Sequence, residues 1–141
     1  MKTGRYNVGV GLIVMAGFMF YGFLLIYLRD FAPDKEAWIA SYSVGAHFES
    51  RLAHVHGNLF ALLNLVLGFV LARLAGASDG WRSATAWMGL AGLLMPLGIL
   101  GEVYLGLSPV FVLLGAAAMI GAVISSGVMA LKHWAETPLR A

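Results

Sequence analysis

Two histidines and two asparagines stand in or beside one of the most apolar runs of the chain. Glu49-Ser50-Arg51-Leu52-Ala53-His54-Val55-His56-Gly57-Asn58 leads straight into Leu59-Phe60-Ala61-Leu62-Leu63-Asn64-Leu65-Val66-Leu67. Polar groups at membrane depth are costly and mark functional sites by default. Imidazole is a ligand for iron, copper or zinc, and bundle cores hold haem through such a side chain. On a helix, His47, Arg51, His54 and Asn58 fall at steps of four, three and four and share one face. Glu49 and His56 lie on another, with Phe60. His54 and His56 stand roughly 200° apart around the helix, so on a regular helix they cannot chelate one ion together. They serve two environments, such as the protomer's own bundle and a contact with a neighbouring chain. Two readings follow: one histidine ligates a cofactor, or both hydrogen-bond between helices.

Glu102 is placed at about the depth of His54 and His56 on an antiparallel helix. An ionised carboxylate there needs a partner, which a histidine or Arg51 supplies. In that role Glu102 fixes the tautomer of a ligand histidine; otherwise it reaches the membrane interface. Tyr104 either donates a hydrogen bond into the same space or anchors the helix at the interface. The seven methionines are scattered and read as packing, and His133 reads as solvated.

The elements that must position these groups are membrane helices. Of the 141 residues, 60% are hydrophobic and 11% charged, more apolar than a soluble domain of this size requires. The expected fold is all-α: a single transmembrane domain over residues 1–141, an up-down four-helix bundle with spans of about 6–28, 47–74, 82–104 and 109–132. The first run is too long for a signal peptide and reads as a retained span. Pro33-Asp34 opens a short amphipathic helix carrying Trp38 and Tyr42 at the interface. Pro96 should kink the third span and free the carbonyl of residue 92. Lys2, Arg5, Arg73, Arg82, Lys132 and Arg140 fall on one side, and Arg29, Lys35 and Arg51 on the other. This bias puts both termini in the cytoplasm and the histidines toward the outer face of a bacterial inner membrane. Cysteine is absent, which excludes disulfides and thiolate metal sites. The net charge of +2 gives no sign of nucleic-acid binding. Ala117, Gly121 and Ser125 form a small-residue face for close packing, within a protomer or between protomers.

With Arg51-Leu52-Ala53-His54 on a second helix, Gly68-Phe69-Val70-Leu71 further along it and Leu107-Ser108-Pro109 before the fourth, the chain resembles the styrene oxide isomerase family of small four-helix membrane proteins. The resemblance spans most of the chain. It implies a homotrimer with haem b between protomers, ligated by the second-helix histidine, here His54. It also implies ferric iron acting as a Lewis acid on an epoxide, giving an aldehyde. That family has an asparagine six residues after the ligand, which acts with a third-helix tyrosine. Phe60 occupies the first of these positions here, and Glu102 lies near the second.

The expected metal ligand is therefore His54. Arg51, His56 and Asn58 stand around the cofactor, and Asn58, Glu102 and Tyr104 are the candidate catalytic groups. His56 pairs with Glu102 in this arrangement, and a small apolar molecule is the possible ligand. The competing readings are a haem electron carrier, with His56 of a neighbouring chain as second ligand, a gas-binding protein, and a non-catalytic subunit of a membrane complex.

Overall fold

The computed structural model describes residues 4–74 and 76–133, so Lys2 and Arg140 lie outside the described residues. The chain runs through α1 (Arg5–Asp30), α2 (Lys35–Ala40), α3 (Ala46–Arg73), α4 (Asp79–Gly92), α5 (Leu94–Leu105) and α6 (Val110–His133). Four stretches are long and apolar enough to cross a membrane: α1, α3, α4 with α5, and α6. The protein is an all-α, integral membrane four-helix bundle.

The third span is two helices because of Pro96. Proline has no N–H to offer the carbonyl of Gly92, and its ring crowds that carbonyl. The backbone breaks at Leu93, whose N–H turns back to Leu90 O at 3.1 Å. α5 then resumes, with Leu97 N–H bonded to Leu93 O at 3.3 Å. The ends of this span follow from local chemistry. Ser78 caps α4 by accepting from Trp81 N–H, and Gly106 closes α5 at φ 64°, a left-handed conformation suited to glycine.

α1 and α3 pack antiparallel along a seam that needs missing side chains. A Cβ on Gly68 would lie 2.7 Å from Gly4 O, and one on Gly11 would lie 2.9 Å from Ala61 O. Further along, the Phe18 ring occupies the place a Cβ on Gly57 would take, at 2.4 Å. The seam ends where the imidazole of His54 covers Gly22. Little of α1 is otherwise enclosed: 11% of its apolar window is buried, against 39% for the third span. α1 is thus a flank helix leaning on α3.

The opposite half of the bundle is closed by α6 against α4 and α5. Gly115 faces the Met95 backbone so closely that a Cβ would stand 2.1 Å from its nitrogen, and Met119 packs over Gly92. Phe60, Leu67, Leu93, Met119 and Ala122 form one buried cluster. Leu71, Leu74, Ala77, Ala86 and Met129 form a second, toward the end that carries the termini. Of the small-residue face on α6, Ser125 is used inside the protomer. Its hydroxyl accepts from Trp81 Nε1 at 2.7 Å and lies 2.7 Å from Thr85 Oγ1.

One polar link ties three helices together in the core. Asn7 Nδ2 donates to Asn64 Oδ1 at 2.9 Å and to Ala86 O at 2.8 Å. Asn64 Nδ2 in turn donates to Gly89 O at 2.9 Å. Both side chains are almost wholly buried, so each unmade bond would carry a full desolvation cost.

Candidate functional site

A cavity of about 590 Å³ opens between α1 and α3 at the end of the bundle away from the termini. The four α3 side chains expected on one face, His47, Arg51, His54 and Asn58, all line it. Met19, Gly22, Phe23 and Ile26 form the α1 wall, and Arg29 joins Arg51 among the lining residues. The chemistry is graded: aliphatic and aromatic groups on one wall, guanidiniums where α1 ends and α3 begins.

His54 sits eight residues into α3, about 12 Å along its axis. Its imidazole lies against Gly22, where a Cβ would come within 2.7 Å of Cε1. The Tyr21 ring is 6.4 Å away. Nδ1 of His54 is buried and has no hydrogen-bond partner among the described residues. Asn58 Nδ2 donates to the His54 carbonyl at 2.9 Å, tying the two residues across one turn.

The short α2 is folded over the N-terminal end of α3. His47 stacks on Trp38 with ring centroids 4.8 Å apart and meets the Tyr42 edge at 5.3 Å. Its Nδ1 is 3.0 Å from Trp38 O. A carbonyl only accepts, so Nδ1 is the donor in this contact. Arg51 lies over the Tyr42 ring at 3.9 Å, a cation–π contact, and its guanidinium also donates to Tyr42 O at 3.5 Å.

His56 points away from this cavity, as its 200° separation from His54 requires. Its Nδ1 donates to Leu52 O at 2.9 Å and its ring meets the Phe60 edge at 6.2 Å. The expected His56–Glu102 pair is not formed. The ion pairs among the described residues are Arg29–Asp30 and Arg82–Asp79, and Glu102 is exposed. His56 has turned its proton to its own helix, and Glu102 is exposed on α5, so the two do not face each other. Arg51 is likewise engaged with Tyr42 rather than Glu102.

Tyr104 belongs to a different junction. Its hydroxyl is 3.0 Å from Tyr21 OH and 3.0 Å from Ser50 Oγ, linking α5 to α1 and α3. It does not line the His54 cavity. Of the three candidate catalytic groups, only Asn58 shares a cavity with His54. Asn64 is a structural core residue. His133 is half-buried, edge-on to Trp81 at 6.4 Å, rather than fully solvated.

Asn7 and Gly22 escaped the sequence reading. The seven-residue spacing of Gly4, Gly11 and Phe18 was the available signal for the face of α1 that meets α3. No cluster of three or more His, Cys, Asp or Glu residues suited to a metal ion forms among the described residues. The donor set at the cavity is the imidazoles of His54 and His47, the latter tied to Trp38 O, with cations and an amide around them. That set fits a cofactor that brings its own ligand field, as a porphyrin does.

No family model, curated protein or solved structure matches the chain.

Proposed function

We propose that the protein is a membrane haem b-binding protein with His54 as the axial ligand. The observation that carries this reading is the cavity itself. It combines the His54 imidazole, whose buried Nδ1 is unpartnered, with a second imidazole in His47, an apolar wall and two arginines. Its volume of about 590 Å³ falls in the range of cofactor sites, about 300–1,000 Å³. His54 would hold the iron, the Met19, Phe23 and Ile26 wall would lie along the macrocycle, and Arg29 and Arg51 would receive the propionates through charge-assisted hydrogen bonds. Asn58 supplies an amide beside the ligand. Phe23 and Met19 are exposed in the single chain, so a second copy closing this flank agrees with the homotrimer that the family resemblance implies. The excess of cations at the end bearing the termini supports a cytoplasmic placement of that end, in a bacterial inner membrane.

When bound, ferric haem supplies a Lewis acid, and the resemblance points to opening of an epoxide to a carbonyl compound. The chain's part is to hold the iron ligand, exclude water with the apolar wall and present Asn58. The test compares His54→Ala with His56→Ala in detergent-purified protein. His54→Ala should abolish the Soret band while the protein still inserts into membranes; His56→Ala should keep it. A Soret band that survives loss of His54 overturns the assignment. Conversion of an aryl epoxide to an aldehyde by the loaded protein tests the isomerase reading separately.

A second reading is favoured by one observation. The bond from His56 Nδ1 to Leu52 O leaves Nε2, the other ring nitrogen, outside that contact. That atom suits a second axial ligand supplied to a neighbouring chain, as in an electron carrier. A six-coordinate spectrum that becomes five-coordinate in His56→Ala would select it.

A further inference from the structure

At the opposite end of the bundle a smaller crevice, about 180 Å³, lies between α1, α3 and the start of α4. Arg5 and Arg82, far apart in sequence, both line it, over a floor of Val8, Phe69 and Leu71. We propose that this crevice binds the phosphate of an anionic phospholipid, with the acyl chains running down the Val8 and Phe69 side. The proposal is independent of the haem reading.

Three observations support it. Gly4 and Gly68 meet so closely that no side chain fits at either position, so bare backbone lines the crevice where they touch. Arg82 is largely buried, at 13% side-chain exposure, yet its Nε has no hydrogen-bond partner among the described residues. Its other nitrogens are engaged by Asp79 and by Leu71 O at 3.5 Å. Arg5 donates to Tyr6 OH at 2.8 Å and remains exposed. Two guanidiniums against the one carboxylate of Asp79 leave one positive charge, which matches a phosphodiester monoanion. The floor decides between a lipid and a free anion: Phe69 is 64% exposed on the flank that faces the hydrocarbon, so an occupant with chains gains contacts that inorganic phosphate lacks. Basic pockets between helices near the headgroup zone recognise lipids in this way.

The test uses the full chain in a zwitterionic detergent, titrated with dioleoyl phosphatidylglycerol and read by native mass spectrometry. One bound phosphatidylglycerol per chain is expected, with dioleoyl phosphatidylcholine binding markedly more weakly. Arg5→Gln should weaken binding about fivefold, the worth of one surface cation near an anionic lipid. Arg82→Lys keeps the charge and should keep most of the binding, whereas Arg82→Gln should lose it. Lys132→Gln, a cation at the same end that does not line the crevice, should change nothing. If Arg82→Gln fails to fold, Arg5→Gln still decides. Equal binding of phosphatidylcholine, displacement by millimolar inorganic phosphate, or an Arg5→Gln protein that binds as before overturns the proposal.

Discussion

The imidazole of His54 rests on Gly22: the nearest ring carbon stands 2.7 Å from where a Cβ would be. The position of the proposed ligand is therefore set by an atom that α1 lacks. Gly22→Ala should push the ring out of its seat, at a cost of about 1–3 kcal/mol typical of overpacking. The expected result is lower haem occupancy or a shifted Soret maximum in a protein that still folds. Gly17→Ala on the same helix meets nothing within 4 Å and serves as the control. An unchanged spectrum for Gly22→Ala would mean that the seat does not position the ligand.

The Asn7–Asn64 bond is expected to show energetic coupling. Asn64→Ala removes an acceptor and two donor contacts from the core and should cost about 1–3 kcal/mol. A double-mutant cycle with Asn7→Ala, followed by unfolding in sodium dodecyl sulfate, should return a coupling of about 0.5–2 kcal/mol. Strictly additive single mutants would show that the two amides do not act together.

Gly115 and Gly127 should respond in opposite directions. Gly115→Ala places a methyl group against the Met95 backbone, where no side chain can yield, so α5 and α6 must separate. A loss of about 1–3 kcal/mol or more is expected in the same unfolding assay. Gly127 has open space around it, and Gly127→Ala should gain up to about 1 kcal/mol through helix propensity.

Tyr104→Phe separates the two polar junctions. It removes the hydroxyl shared with Tyr21 and Ser50, at about 0.5–1.5 kcal/mol, and should leave haem content unchanged because Tyr104 lies outside the His54 cavity. Cofactor loss in this variant, measured by the pyridine haemochrome spectrum, would place Tyr104 at the ligand after all.

The spans and the break at Pro96 were legible because they depend on local properties: apolar length and a missing N–H. The shared face of His47, Arg51, His54 and Asn58 was legible for the same reason, since helical geometry alone decides it. What could not be read was which face meets which. Glu102 was placed with His56 by depth but is exposed, because depth along a helix says nothing of rotation about it. The pairing of α1 with α3 is recorded only in the spacing of glycines, and a glycine's meaning depends on what lies opposite. Tyr104 was expected beside the cofactor; its hydroxyl partners come from two other helices whose rotation no short motif announces.

The buried amide link also bears on how the protein is made. Asn7 lies in α1, and its partners, Asn64 and the carbonyl of Ala86, are synthesised long after it, while Asn64 itself leans on Gly89 O. Once α3 has emerged Asn7 can bond Asn64, but its second acceptor, Ala86 O, arrives only with α4. The α1–α3 pair that clasps His54 would then be able to form first, with the amide link completed only when the third span supplies Ala86 O and Gly89 O.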